Sequence, residues 1–547
     1  MLNTPARPML VFLVGFQDQD NLGLRYLSSS VAAAGHRARI VTYSSDPRDL
    51  VRRALEERPD VVGLSLIFQY MAPEFARVVA ALRAAGVRAH VTVGGHYPSF
   101  EYAEVLRGMP GLDSVVRFEG ERTLVELLDC LASGVPWQEV AGIAHVGPDG
   151  DVRATPLRPP VADLDGLPWP DRADVPYEAS PLATASVLGS RGCPWDCSFC
   201  SIRPFYEAQG GSLRRLRDPR RVVEEIEALH RDRRVSLFLF QDDDFLATGS
   251  RAARWATAVS DEIVARGLAG RIAFKISCRS DEVREDVVAA LVRGGLTHVY
   301  MGVESGDDET LRRMNKHMGA ARHVEAARIL RRAGLSFDFG FMLLDPDSTF
   351  ESVRRNLRFL EEFVGDGWSV ANFCRMLPYA GTPVRDRLAQ AGRLLGTPFV
   401  PDYRFLDARL DAFYDWTTRA FQRRNFSNEG SAHLARVLSF RVRLRLPSAN
   451  PSNEVERAFA QHLVARTNAV ACYATGRALD EFEGGDPDPE RLADLAALVD
   501  REDRAVADRA RRLLTALDLR ARAPDGGFDR SWTFAARPTA VVDEPVA

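Results

Sequence analysis

Ser190-Arg191-Gly192-Cys193-Pro194-Trp195-Asp196-Cys197-Ser198-Phe199-Cys200 is the stretch on which the reading of this sequence turns. Three cysteines stand at C-x3-C-x2-C, with an aromatic residue directly before the third. Three thiolates can hold three irons of a [4Fe–4S] cube, whereas a closed cluster takes four. The fourth iron is then open to another ligand. The alternative is a structural zinc knuckle, which needs a fourth protein ligand close by. No histidine lies between His145 and His230, and the next cysteine is Cys278.

Upstream of this loop, from the start to about residue 135, short apolar runs alternate with helical patterns. Strands are expected at Met9–Phe16, Arg37–Tyr43, Asp60–Ile67, Arg88–Gly95 and Ser114–Phe118. Between them, Phe75, Val78, Val79 and Leu82 recur at helical spacing. Five such βα units imply an open parallel sheet covered on both faces. Sheets of this kind bind ligands beyond the carboxyl ends of their strands. Gly147-Pro148-Asp149-Gly150, Pro159-Pro160 and Pro168-Trp169-Pro170 then mark a turn-rich linker.

The loop itself opens a second alternating series. Its expected strands are Ser186–Gly192, Leu237–Phe240, Arg271–Cys278, His298–Val303, Ser336–Leu344 and Ser369–Met376. Six βα units fall short of the eight that close a TIM barrel. Beyond about residue 390 the alternation gives way to helical stretches at Arg404–Arg423, Ala432–Val442, Val455–Ala478 and Pro489–Leu517. The final residues, with Pro524, Pro538 and Pro545, read as a loose tail.

Bulk composition bounds the function. A chain of 547 residues is too long for one ordinary domain. A net charge of −4 gives no electrostatic reason to expect nucleic acid or an anionic membrane. Of 71 basic residues only Lys275 and Lys316 are lysines. The four cysteines outside the loop, Cys130, Cys278, Cys374 and Cys472, are scattered singly without a disulfide framework, which fits a reducing cytoplasm. No apolar run approaches the ~18 residues that span a bilayer. Met9–Phe16 is followed by Gln17-Asp18-Gln19-Asp20 and not by a small-residue cleavage site, so it reads as a strand, not a signal segment.

Polar segments recur at successive strand ends of the second series. Gln241-Asp242-Asp243-Asp244-Phe245 follows the second strand, and Cys278-Arg279-Ser280 ends the third. Gly302-Val303-Glu304-Ser305-Gly306 ends the fourth, with Met314-Asn315-Lys316 downstream, and Leu377-Pro378-Tyr379-Ala380-Gly381-Thr382-Pro383 follows the sixth. Singly, each has a bland reading: a solvated aspartate turn, an ion-paired arginine, a helix cap. Together with the cysteine loop, and in this order, they resemble the radical S-adenosylmethionine (SAM) enzymes. That resemblance implies a partial (β/α)6 barrel with Cys193, Cys197 and Cys200 holding the cluster and SAM on its open iron. Carboxylates suit an ammonium or ribose hydroxyls, and arginine suits a carboxylate. Asp243 is therefore expected near the SAM ammonium, and Glu304 and Ser305 near the ribose or carboxylate. Arg279 is a further candidate, and Phe199 is expected beside the adenine.

The first domain has its own pattern. Gly63-Leu64-Ser65, Thr92-Val93-Gly94-Gly95-His96 and Glu119-Gly120-Glu121 end its third, fourth and fifth strands. Glycines there permit close backbone approach. Placed just before such a barrel, this domain resembles the Rossmann-like cobalamin-binding domain of cobalamin-dependent radical SAM enzymes, with Ser65, Gly94, Gly95, His96 and Glu119 at its ligand-facing edge. No histidine stands in a D-x-H-x-x-G context, so His96 is expected to edge the pocket and not to ligate cobalt. The methylthiotransferase branch carries three further cysteines in its first domain, and this one has only Cys130.

The expected α/β division is a cobalamin domain at 1–140, a linker at 141–180, a radical SAM partial barrel at 181–390, a helical domain at 391–522 and a tail at 523–547. The resemblance implies a cytoplasmic enzyme using a [4Fe–4S] cluster, SAM and cobalamin to methylate an unactivated carbon of a natural-product, peptide or lipid substrate. An external donor such as flavodoxin or ferredoxin supplies the electron. Rearrangement or cyclisation with the same cofactors, or a non-catalytic regulatory role, are the alternatives. Arg441, Arg443 and Arg445 read as a solvated face or an anion contact, with the former favoured. Tyr379, Cys374 and Tyr473 are residues that could reach the substrate.

Overall fold

The computed structural model describes residues 7–17, 20–175, 177, 182–247, 249–444 and 454–517. The expected tail, Arg445, and Asp18 and Gln19 lie outside these residues. The first sheet contains β1 (Leu10–Gly15), β2 (Arg37–Thr42), β3 (Val61–Ser65), β4 (His90–Gly94), β5 (Ser114–Val116), β6 (Ile143–Val146) and β7 (Val152–Ala154). Its order is β2-β1-β3-β4-β5-β6-β7, with β1 to β5 parallel. Along β1, Phe12 and Val14 enter the core on one face, while Val11 and Leu13 enter the core on the other. Side chains alternate with period two, so a strand buried on both faces reads as a continuous apolar run.

The segment expected to be a linker is different. β6 pairs antiparallel with β5, and β7 with β6, extending the first sheet past residue 140. Beyond β7 the chain is pinned by buried charge. Arg25 donates to the Asp171 carbonyl at 2.8 Å and pairs with Asp174 at 2.7 Å. Arg172, 8% exposed, bonds Asp20, the Ser186 carbonyl and Glu225. The prolines and glycines set turns here, and the arginines supply the rigidity that composition alone hides.

The second sheet is a half barrel of β8 (Thr184–Val187), β11 (Leu237–Phe240), β12 (Ala273–Arg279), β13 (Leu296–Glu304), β14 (Ser336–Leu344) and β15 (Cys374–Arg375), all parallel and in that spatial order. A short pair, β9 (Ser190–Arg191) with β10 (Arg215–Leu216), carries the start of the cysteine loop. The expected sixth strand shrinks to two residues. Its first half is held instead by side chains of the C-terminal helices: the Ala371 N–H donates to Asn468 Oδ1 at 2.8 Å, and Arg424 donates to the Ala371 carbonyl at 3.0 Å. Those side chains satisfy the backbone that a strand partner would otherwise satisfy.

A hairpin of β16 (Leu394–Gly396) and β17 (Pro401–Tyr403) comes next, inside the domain expected to be helical but ahead of its first expected helix. Its tip reaches the first domain, where Gln69 and Tyr97 both donate to the Pro398 carbonyl. Helices Ala408–Phe426, Ser431–Arg441, Glu454–Glu483 and Pro489–Ala516 complete the chain. Phe440 and Leu444 pack on Leu182, Leu237, Leu239 and Ala273, closing the amino-terminal end of the half barrel. Arg436 meets the inner-face Asp338 there at 3.5 Å. Arg443 is not on a solvated face; it lies 4.5 Å over the Trp368 ring, and burial lowers its pKa to about 10. Its neighbours Val442 and Leu444 are buried, which draws this turn onto the protein. Among the described residues no helix is long and apolar enough to cross a membrane.

Candidate active site

The cysteine loop leaves β9 through Gly192, whose φ is +93°. A Cβ at this position would fall 1.9 Å from the Leu213 carbonyl oxygen, so only glycine allows the strand to turn out beside β10. The ends of other strands then fix the loop. Asp242 Oδ2 accepts from the Gly189 N–H at 3.0 Å, and Asp243 Oδ2 accepts from the Gly192 N–H at 2.8 Å. The Ser198 N–H donates to the Met314 carbonyl at 2.9 Å, and Trp195 Nε1 donates to Glu282 at 2.9 Å.

The donor set suits an iron–sulfur cluster. All three thiols are free and partly enclosed. Burial pushes the Cys193 thiol well up, with Asp244 adding to it, and pushes Cys200 up to about 12. Burial also raises Cys197, while Lys316 and Arg279 oppose the rise. Bound iron would take the place of the proton on Cys193, Cys197 and Cys200, since a coordinating thiol is deprotonated. Each thiolate of a cube meets a different iron. Among the described residues no three His, Cys, Asp or Glu side chains form a single-ion site.

The three aspartates divide their work. Asp242 and Asp244 are 4% and 2% exposed, whereas Asp243 opens onto a cavity. Asp242 also accepts from Ser190 Oγ. Asp244 lies against Glu282, and burial together with the Asp244 charge raises the Glu282 pKa well above the usual carboxylate range. Confinement raises the Asp243 pKa, and the Gly192 N–H and Arg191 oppose it.

Glu304 closes β13 with φ +68°, at an irregularity in the pairing with β14. A non-glycine residue held there costs on the order of 1 kcal/mol or more and persists only when its surroundings over-determine it. Its carboxylate lies 3.7 Å from Lys316 Nζ. Burial raises its pKa, and Lys316 is the main group holding it down.

Two expected SAM contacts fall elsewhere. Ser305 is fully buried; its Oγ donates to Asn356 Oδ1 at 2.9 Å and accepts from the Asp307 N–H at 3.1 Å. With Glu304 turned inward at the bulge, the next side chain points into the core. Arg279 spends its donors on Asp281, the Lys316 carbonyl and Cys197 Sγ at 3.4 Å, and stacks 3.8 Å over Trp195. It clamps the loop and presents no free edge to a carboxylate. Phe199 sits with its ring centroid 6.0 Å from Lys316 Nζ.

The cavity, about 720 Å3, lies between the carboxyl ends of the first sheet and the barrel mouth. Ser65, Gly94, Gly95 and His96 line it from one side, and Gln241, Asp243 and Tyr379 from the other. Apolar Leu13, Leu24 and Leu124 line it as well, beside polar Asn21 and Thr92. Volume and mixed lining fit a large organic cofactor, since such sites run to about 1,000 Å3. Gly95 is required by its turn: φ is +122°, and a Cβ would come 2.4 Å from the Leu66 carbonyl. His96 stacks on Phe205 at 4.2 Å, and burial lowers its pKa to about 4, leaving a neutral ring held by packing.

Glu119 lines the cavity too, but its oxygens are taken. It pairs with Arg215 at 2.7 Å and Arg191 at 3.0 Å and accepts from the Val161 N–H. Arg191 reaches Glu121 as well, at 2.6 Å. This network ties the first domain to the cysteine loop. Sequence reading missed it, along with Phe205 and Tyr206 in the cavity wall, although Arg191 stands only two residues before Cys193. Cys278 and Cys472 are buried in the core, Cys130 packs against a first-domain core, and the Cys374 thiol contacts the Phe341 carbonyl. Tyr473 is 56% exposed and Tyr379 is in the cavity.

Comparison with known proteins agrees with this geometry. Residues 10–128 match the B12 binding domain family and residues 187–360 the Radical SAM superfamily, together more than half of the chain. An uncharacterized methyltransferase of Pyrococcus horikoshii is 29% identical over 367 residues, covering 66% of this chain and 76% of that one. The anaerobic magnesium-protoporphyrin IX monomethyl ester cyclase of Cereibacter sphaeroides is 28% identical over 380 residues, covering 66% of this chain but only 59% of its own length. The solved structure of OxsB, a cobalamin-dependent SAM radical enzyme with aqua-cobalamin bound, shares the fold at a TM-score of 0.71 and 16% identity, over 93% of this chain and 81% of that one. A cobalamin-type sheet and a cluster-bearing half barrel, joined in one chain around one cavity, make this protein a member of the cobalamin-dependent radical SAM enzymes.

Proposed function

We propose that this enzyme transfers a methyl group to an unactivated carbon of a natural-product, peptide or lipid substrate. The observation that carries this reading is the shared cavity: a group held on Ser65, Gly94 and Gly95 would face one held near Asp243 and Tyr379 across open space. When bound, the cluster and SAM supply a radical able to take hydrogen from carbon, and cobalamin supplies a methyl group. The chain's own part is to hold and orient, which is worth several kcal/mol in such reactions. Cys193, Cys197 and Cys200 would hold three irons, Asp243 the SAM ammonium, and Glu304 the ribose hydroxyls, with Phe199 beside the adenine. Ser65, Gly94, Gly95 and His96 would wall the cobalamin. The enzyme works in the cytoplasm with an external one-electron donor of the flavodoxin or ferredoxin type.

Methyl-deuterated SAM tests the transfer. Label is expected in cobalamin and in the product, with 5′-deoxyadenosine and S-adenosylhomocysteine formed together. The name of the C. sphaeroides relative supports a second reading, ring closure without methyl transfer. Unlabelled product accompanied by 5′-deoxyadenosine alone would establish that reading instead.

Asp243→Asn separates two roles, because the amide oxygen can still accept from the Gly192 N–H. Iron content is expected to stay at the wild-type level while SAM affinity falls about ten- to hundredfold, the loss typical of a hydrogen bond to a charged group. Equilibrium dialysis of SAM against the reconstituted protein reads this directly, and unchanged affinity would remove Asp243 from the SAM pocket.

A further inference from the structure

The composition of the chain singles out two positions. Arginine fills every basic position but two, and both lysines, Lys275 and Lys316, are buried in the half barrel at 7% and 2% exposure. A sequence that uses arginine almost wherever a cation is needed has kept lysine only where the cation is enclosed. Lysine is a compact point charge with three rotatable donors, and arginine a broad planar fork.

The surroundings of Lys316 show what that compactness serves. Its Nζ donates to the Gly302 carbonyl at 3.1 Å and lies 3.7 Å from Glu304 Oε1. The fit is close. A Cβ on Gly302 would stand 2.9 Å from Glu304 Oε1 and 3.2 Å from Lys316 Nζ, so the ammonium and the carboxylate fold against bare backbone. Gly340 on the neighbouring strand leaves room for the other carboxylate oxygen, 3.1 Å from where its Cβ would be. Lys316 is itself fixed from behind, between Asn315 and His317, both left-handed at φ +54° and +55°. Its carbonyl accepts from Arg279, and His317 Nε2 lies 2.6 Å from Asp196 inside the cysteine loop. The turn carrying the ammonium is thus built onto the cysteine loop, and the ammonium reaches from it to the strand end that carries Glu304.

We propose that Lys316 is the positioning residue of the SAM pocket: its ammonium, bridging the Gly302 carbonyl and the Glu304 carboxylate, holds Glu304 in its left-handed bulge and registers it against the cysteine loop. Lys316 acts through Glu304, whose Oε1 lies 3.7 Å from its Nζ. The inference rests on the reading of Glu304 as a SAM ligand and extends it to a residue that sets where that ligand stands. Arginine is expected not to substitute, because its planar fork is broader than the compact ammonium that packs 3.2 Å from where a Gly302 Cβ would stand.

The test is SAM affinity of the anaerobically reconstituted holoenzyme, by equilibrium dialysis, for Lys316→Met, Lys316→Arg, Glu304→Gln and the double variant K316M/E304Q. Iron content and thermal melting are followed in each, and the reduced-cluster EPR spectrum is recorded with and without SAM. Each single variant is expected to lose about ten- to hundredfold in affinity with iron unchanged. K316R is expected to lose as much as K316M. In the E304Q background, K316M is expected to add less than about twofold, because interacting sites are not additive. The SAM-induced change in the EPR spectrum is expected to weaken in parallel.

Full wild-type affinity in K316M, rescue by K316R, or losses that multiply in the double variant would each overturn the proposal while leaving Glu304 as a ligand. Unchanged affinity in E304Q would instead overturn the reading of Glu304 itself. Should K316M lose iron or melt early, the E304Q–K316R pair carries the same additivity test.

Discussion

Alanine at Cys197 is expected to abolish the cluster. Anaerobic reconstitution of the wild type should give about four irons per chain, and Cys197→Ala only background. The reason is local. Ser198 still bonds the Met314 and Arg313 carbonyls and Trp195 still bonds Glu282, so the loop keeps its path when the thiol is removed. What is lost is one of three ligands, and two thiolates do not retain a cube. Arg279, whose Nη1 donates to Cys197 Sγ, keeps its bidentate hold on Asp281. Iron retained in the variant lacking all three loop cysteines, or zinc found in place of iron, would refute the assignment. The same measurement on a variant with alanine at Cys130, Cys278, Cys374 and Cys472 is expected to show unchanged iron, because these thiols lie apart from the loop in separate elements.

Glu119→Ala is expected to have the second-largest effect, and it falls on two domains at once. Glu119 is the common partner of Arg191 and Arg215, and all three side chains are at most 12% exposed. Breaking a buried pair leaves uncompensated charge and costs about 3–5 kcal/mol. Arg191 keeps Glu121, but Arg215 keeps no charged partner among the described residues, retaining the Val161 carbonyl and the Tyr206 ring. The first domain then loses its register against the strand pair that feeds the cysteine loop. A displacement of about 1 Å can cost a hundredfold in a positioned reaction. SAM cleavage to 5′-deoxyadenosine is therefore expected to continue while methyl transfer falls about a hundredfold. Measuring the ratio of the two products, with iron and cobalamin content as controls, checks this. A ratio equal to that of the wild type would show that the network is structural only. Glu119→Gln keeps the acceptor oxygen without the charge and is expected to fall between.

Much of the molecule was legible in the sequence. Continuous apolar runs such as Leu10–Gly15 and Leu237–Phe240 became buried parallel strands, because burial on both faces leaves no polar alternation. The cysteine spacing, the aspartate triplet and the Glu304 segment were identifiable because they stand at strand ends, where chain direction is easy to follow. The sixth strand and the linker depart from their composition for opposite reasons. Ser369–Phe373 has strand-like composition, but Asn468 and Arg424, distant in sequence, take its backbone partners. Residues 143–154 have turn-rich flanks, yet β6 pairs with β5 and β7 with β6.

The sequence by itself determined the parallel strands of the two α/β sheets, the cysteine loop and the resemblance that names the cofactors. These depend on local pattern: periodicity, spacing and the chemistry of thiols and carboxylates. Only the tertiary structure decided which members of each motif are used. Of three adjacent aspartates it turned one to the cavity and buried two. It consumed Ser305 and Arg279 in hydrogen bonds to Asn356, Asp281 and the cysteine loop. It also made Glu119 a bridge to Arg191 and Arg215. A side chain's role is set by which donors and acceptors remain unspent after folding, and apart from Asp281 those partners come from residues 51 to 96 positions away in the chain. Local pattern carries no record of them.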